Sequence, residues 1–145
     1  MSGIIVGVDG SGHSRRALEW AMQEAAVRRV PLTVITVHEI SVGYWGSGVS
    51  YPEDHAAAEH PRRAVQLEVE KVLDSLGESR PSVTVQALSG TPAHELLTAA
   101  KDADMIVVGS RGTGGFTRLL MGSVSTQVSH HAHCPVVVIP PEHRG

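Results

Sequence analysis

A single cysteine, Cys134, is all the chain offers for redox chemistry, so no intrachain disulfide can form. That scarcity excludes the disulfide-stapled class of small secreted domains and fits a reducing cytoplasm. Apolar runs stay far below the ~18 residues that a membrane-spanning helix needs. The opening MSGIIVGVDG lacks the basic segment and the apolar length of a signal peptide, so a soluble cytoplasmic protein is expected, with no membrane partner. Positive charge is not in excess either: 12 Lys and Arg stand against 15 Asp and Glu, for a net charge of −3. The pairs Arg15-Arg16, Arg28-Arg29 and Arg62-Arg63 are scattered as on helix surfaces, and no basic footprint for nucleic acid emerges. Aromatics are few, with two Trp, two Tyr and one Phe in 145 residues. What the chain does have is 41% hydrophobic residues, enough for one domain over residues 1–145 around one core.

Those apolar residues fall into short β-branched runs alternating with helical spacing. Ile4 to Val8 reads as a strand, and Leu18, Ala21, Met22 and Ala25 follow at helical intervals. Leu32 to Val37, after the helix-stopping Pro31, is a second strand. Ser41 to about Glu59 shows no periodicity and reads as a long loop holding Tyr44, Trp45 and Tyr51. Val65, Val69, Val72, Leu73 and Leu76 then mark a helix, with Gly77 placed to supply the left-handed residue after it. Ser82 to Leu88 is a third strand. Thr91-Pro92 reads as an N-cap with proline at the first helical position, opening a helix through Ala100. Met105 to Val108 is a fourth strand; Val124, Val128 and Ala132 mark a last helix that Pro135 stops; Val136 to Ile139 is the fifth strand. Strands apolar throughout and alternating with helices predict a doubly wound, Rossmann-like α/β domain: a five-stranded parallel sheet with helices on both faces. Ligands of such sheets bind beyond the carboxyl ends of the strands, where the strand order reverses, which directs attention to the loops after Val8, Val37, Leu88 and Val108.

One of these loops, GSRGTGGFTRLLMGS from Gly109 to Ser123, begins at a strand end and finishes at a helix start. Unpaired N–H groups and a macrodipole of roughly +0.5 charge make a helix start receptive to phosphate. The common phosphate motifs are missing, however. No lysine lies between Gly109 and Ser123, which excludes the P-loop pattern. The dinucleotide fingerprint fails twice, because Arg15 and Thr117 stand where its third glycine belongs. What remains is Gly109, two residues, Gly112, nine residues, then Gly122-Ser123.

This spacing, with IIVGVDGS at Ile4 to Ser11 and GSVS…CPVVVIP from Gly122 to Pro140, resembles the nucleotide-binding signature of the universal stress protein family over essentially the whole chain. The resemblance implies an ATP site and a stress-response regulatory role. Asp9 would contact the adenosine portion, through the ribose, and the Val37 backbone would meet adenine. Gly109, Arg111, Gly112, Gly122, Ser123, Val124 and Ser125 would surround the phosphates. Mg²⁺ would be held by phosphates and water, since the sequence offers no carboxylate cluster to cage it. A homodimer through the apolar strand Val136–Ile139 is expected if that strand lies at the sheet edge, where unpaired backbone invites another chain.

Blander readings stand beside these. Asp9 also reads as a turn or capping residue, and Arg111 as a solvated loop cation. Phe116, Leu119, Leu120 and Met121 read as packing residues. His130, His133 and Cys134 share a helical face and invite a zinc site, but no second ligand pair follows, and helix-end histidines beside a favourable dipole account for them. Cys134 itself reads as a small buried hydrophobe. The aromatic loop is suited to covering a nucleotide or meeting a partner protein. An enzyme that hydrolyses ATP or transfers an adenylyl group is the alternative function, with His13 and His38 the nearest candidate bases. It lacks the SGGxDS pattern of ATP pyrophosphatases, and Asp9 to Ser14 reads DGSGHS instead. A phosphorylation-type receiver domain is excluded, because Ser89-Gly90-Thr91 and Pro140-Pro141 stand where its aspartate and lysine belong.

Overall fold

Five β-branched runs become strands: β1 (Ile4–Val8), β2 (Leu32–His38), β3 (Val83–Ser89), β4 (Met105–Gly109) and β5 (Val136–Ile139). They alternate with the helices α1 (Gly12–Arg28), α2 (Glu53–Leu76), α3 (Pro92–Ala99) and α4 (Ser123–His131). The structure, a computed structural model, describes residues 3–9, 12–38, 53–110 and 123–140. Every strand pairing is parallel, in the order β3-β2-β1-β4-β5. The chain winds outward from β1 through β2 to β3, then crosses back to β4 on the other side of β1. The helices of the two halves lie on opposite faces, α1 and α2 on one and α3 and α4 on the other.

Packing follows from the two-residue period of a strand. Ile4, Val6 and Val8 of β1, Leu32 and Val34 of β2, and Met105 and Val107 of β4 point to one face. There they meet Leu18, Ala21 and Met22 of α1 and Val65, Val69 and Val72 of α2. The alternate residues Ile5, Ile35, Ile106 and Val108 meet Ala93 and Leu96 of α3 and Val128 of α4 on the other face. The hydrophobic interior is therefore two layers separated by the sheet, where the sequence predicts one core. Gly7 shows how closely the second layer packs: a Cβ there would lie 2.8 Å from Leu96 Cδ1.

The expected elements are present, and three features of the helix ends stand out. First, α2 begins at Glu53, so residues 53–59, expected as loop, are helical. Helix formers such as Ala56, Ala57 and Ala58 sustain a helix by propensity. The apolar stripe that signals one in the sequence begins only at Val65. Secondly, Thr91 takes the extended N-cap conformation ahead of Pro92, but its side chain makes no capping hydrogen bond. Thirdly, α1 ends on Arg29 in the left-handed region, at φ 58°. Val30 N–H donates to the Ala25 carbonyl and Arg29 N–H to that of Ala26, the paired bonds of a Schellman ending. Gly77 supplies the left-handed residue after α2 as expected, at φ +62°.

Candidate functional site

Because β1 lies between β2 and β4, the chain leaves its neighbouring strands β1 and β4 toward opposite faces, and the crevice between their carboxyl ends is the switch point. The β1–β2 pairing ends at Val8↔Thr36, whereas β2 continues through Val37 to His38. Val37 therefore stands beside the place where Asp9 leaves the sheet. On the other side, Gly109 ends β4 in register with Ile139 of β5.

Local and long-range hydrogen bonds together brace this edge. Asp9 N–H donates to Ser14 Oγ at 3.3 Å, and Ser14 is buried in the first turns of α1. The Ser125 hydroxyl, 1% exposed, donates to the Ser110 carbonyl at 3.3 Å. Ser110 N–H in turn donates to the Ile139 carbonyl at 2.9 Å. The start of α4, the exit of β4 and the end of β5 are thus tied together. Beyond them, Arg16 Nη1 donates to the Pro140 carbonyl at 2.8 Å, joining α1 to the end of β5 across 124 residues of sequence.

Electrostatics favour an anion here. The first turns of α1 and α4, the helices that follow β1 and β4, contain no acidic residue. The first turn of α3, the helix that follows the edge strand β3, carries Glu95. Acids normally stabilise a helix start by about 0.3–1 kcal/mol each. Their absence at the switch point leaves the positive ends of both dipoles uncompensated by their own side chains.

Of the residues expected in the site, Asp9, Val37, Gly109, Ser123, Val124 and Ser125 all lie along this carboxyl edge. Asp9 and Ser123 are exposed, Val37, Gly109 and Val124 half-buried, and Ser125 buried. Arg111, Gly112 and Gly122 lie outside the described residues, as do Phe116, Leu119, Leu120 and Met121 and the aromatics Tyr44, Trp45 and Tyr51. Three participants were not singled out from sequence: Ser14, Ser110 and Arg16. Ser14 and Ser110 carry no motif of their own, and Arg16 had the look of a solvated helix residue. Of the two candidate bases, His38 is half-buried at the end of β2, where its carbonyl accepts a bond from Gly90 N–H. The His13 side chain lies outside what is described.

The histidine cluster sits at the opposite, amino edge of the sheet. His131 and His133, with Leu97 and Lys101, line an open cleft of about 350 Å³ at the C-terminal ends of α3 and α4. Among the described residues no group of three or more His, Cys, Asp or Glu side chains is placed to hold a metal ion. Cys134 is half-buried; burial first, and the Asp104 carboxylate second, push its thiol above the ordinary value. A raised thiol is a poor nucleophile at neutral pH.

Comparison with known proteins agrees with this architecture. The Universal stress protein family model matches residues 1–140. A universal stress protein of Mycolicibacterium smegmatis is 37% identical over 139 residues, covering 94% of this chain and 47% of its own length. The chain therefore spans about half the length of this relative. Universal stress protein YxiE of Bacillus subtilis is 35% identical, with 94% of this chain and 97% of that protein covered. Among solved structures, a universal stress protein UspA of Lactobacillus plantarum superposes with a TM-score of 0.75 at 26% identity, covering 95% of this chain and 97% of that one. The universal stress protein of Archaeoglobus fulgidus in complex with dAMP gives 0.64 at 26% identity, covering 96% and 98%. The matched residues include both strand ends of the switch point and the helices that follow them, and the chain belongs to the universal stress protein family.

Proposed function

We propose that this chain is an ATP-binding regulatory protein of the stress response, acting in the cytoplasm. The observation that carries the reading is the switch-point crevice, where the ends of β1 and β4 meet the acid-free starts of α1 and α4, the β4 end and the α4 start standing at the two ends of the G-x2-G-x9-G-S spacing. Adenine lies against the Val37 backbone, the ribose against Asp9. The phosphates lie along Gly109, Arg111, Gly112, Gly122, Ser123 and Val124, with Mg²⁺ held by phosphate and water. Ser125 shapes this wall from within through its bond to Ser110. The dAMP complex of the Archaeoglobus fulgidus protein supports an adenine nucleotide as the ligand class.

Occupancy acts on the protein's state only as far as two states bind the nucleotide differently. The second state is supplied by a homodimer through β5. This strand pairs with β4 on one side, and its Val136, Val137 and Val138 are only half-buried. An apolar edge of that kind accepts a second copy.

Mass spectrometry of ligand released from freshly purified protein, with thermal melts at millimolar ATP, tests the reading. ATP at a hundred times its Kd stabilises by about 2.7 kcal/mol, a rise of roughly 5–11 °C for a domain of this size. The double variant Gly122→Val with Ser123→Glu is expected to stay folded and lose that rise. Protein carrying no nucleotide and melting at the same temperature with and without ATP would overturn the proposal.

A further inference from the structure

The strands that meet at the carboxyl edge succeed one another as β2, β1, β4 and β5. Along that order stand Val37, Asp9, Gly109 and, one residue past β5, Pro140. Neighbouring strands are about 4.8 Å apart, so the row covers three steps, about 14 Å. If adenine lies at β2, ribose at β1 and the first phosphate at β4, a monophosphate ends there. A triphosphate runs on toward β5.

Among the described residues, Arg16 brings a cation to that end. Its Nη1 is 2.8 Å from the Pro140 carbonyl, and the preceding residue, Ile139, receives the N–H of Ser110. The guanidinium is therefore fixed beside the β4 exit by a bond that uses one N–H and leaves the rest of the planar fork for other acceptors. The neighbouring cation, Arg15, is turned along the helix toward Glu19 at 3.8 Å. Arg15 closes the acid-free first turn of α1 and Arg16 follows it directly, near the helix start where a cation opposes the helix dipole. An anionic ligand reverses that disadvantage for Arg16.

We propose that Arg16 contacts the terminal phosphate of a nucleoside triphosphate and thereby sets a preference for triphosphate over monophosphate, an inference that rests on the nucleotide site described above. The Pro140 carbonyl holds the guanidinium in place, and the terminal phosphate supplies its charged acceptor. Because Pro140 continues β5, the same contact links nucleotide length to the dimer edge.

Isothermal titration calorimetry with ATP and with AMP, on the wild type and on Arg16→Ala, Arg16→Lys and Arg15→Ala, tests this. Wild type is expected to bind ATP at least about tenfold more tightly than AMP. Arg16→Ala weakens ATP by about ten- to a hundredfold, the value of a hydrogen bond to a charged group, and leaves AMP within about twofold. Arg16→Lys recovers part of the loss, since an ammonium retains the charge but not the fork. Arg15→Ala removes the same charge from the adjacent position and is expected to change ATP binding less than about threefold, because an exposed charge without direct contact is screened by salt. Melts of all variants should stay within about 2 °C of wild type, as for surface substitutions.

Equal weakening of ATP and AMP in Arg16→Ala would mean a structural role and overturn the proposal. Unchanged ATP binding, or an Arg15→Ala effect as large as that of Arg16→Ala, would do the same. AMP and ATP binding without Arg16 dependence would leave the nucleotide site standing and remove only this residue's role. A wild type that binds neither nucleotide would bring down both.

Discussion

Replacing Gly7 with alanine tests the packing that holds β1, and with it Asp9, against α3. The new Cβ would lie 2.8 Å from Leu96 Cδ1 and 3.0 Å from Cδ2. Carbon atoms pack favourably at about 3.5–4.0 Å, so either the leucine or the strand must move by several tenths of an ångström. Leu96 is 3% exposed and surrounded by Ile5, Ile35, Ala93 and Ile106 of the same layer, which leaves it little room. Overpacking of this kind costs about 1–3 kcal/mol. The smaller conformational freedom of alanine in the unfolded chain offsets about 0.4–1 kcal/mol. A net loss of about 1–2 kcal/mol lowers the melting temperature by roughly 2–8 °C. Urea titration followed by circular dichroism and by tryptophan fluorescence measures it, one of the two tryptophans, Trp20, being half-buried against the opposite layer. The decisive comparison is a double-mutant cycle. Leu96→Ala alone costs about 2–5 kcal/mol through the cavity it leaves. Adding Gly7→Ala in that background places a methyl group into vacated space and is expected to cost nothing or to stabilise. Equal cost of Gly7→Ala in both backgrounds, within about 0.5 kcal/mol, would refute the contact as the cause.

Three further expectations follow from local geometry. Arg29→Gly removes the left-handed strain at the end of α1 and is expected to stabilise by about 1 kcal/mol, read from the urea midpoint; a lower midpoint would contradict the assigned φ of 58°. Ser125→Ala loses the bond to Ser110 and costs about 1 kcal/mol, and it should weaken nucleotide binding in calorimetry because the wall between β4 and α4 loosens; unchanged stability and affinity together would show that the bond braces nothing. The Cys134 thiol, raised by burial and by Asp104, holds less thiolate at any given pH than the unfolded chain does. Its contribution to stability is therefore intact below the ordinary thiol value of about 8.5 and lost as pH rises through the folded value. Iodoacetamide rates against pH should give a midpoint above that of denatured protein, moved partway back by Asp104→Asn; a midpoint at or below the denatured one would refute the cause.

Much of this molecule is legible because its signals are local. Ile4–Val8 and Val136–Ile139 begin and end where their apolar runs do, and the other three strands run one residue past the expected C-terminal end, β3 also starting one residue later. Gly77 and Pro92 take the terminal positions their chemistry favours. The start of α2 was hidden because its first turns carry alanine and polar residues without an apolar stripe, and periodicity reports only where a helix displays one. Thr91 carried the composition of a cap without the bond, since a backbone can hold the N-cap conformation with no help from the side chain.

The sequence by itself determined the elements, their alternation and the glycine spacing, because each depends on neighbours within a few residues. Strand order, the partition of the helices between two faces and the braces of the site were decided only by the tertiary structure. Ser14 meets Asp9, Ser125 meets Ser110, and Arg16 meets Pro140. The first two join segments near in sequence, but the bond that places a cation at the far end of the crevice spans 124 residues. A single hydrogen bond at that separation has no periodicity and no composition to betray it. It exists because the crossover from β3 back to β4 sets β5 at the end of the sheet, within reach of Arg16 near the start of α1.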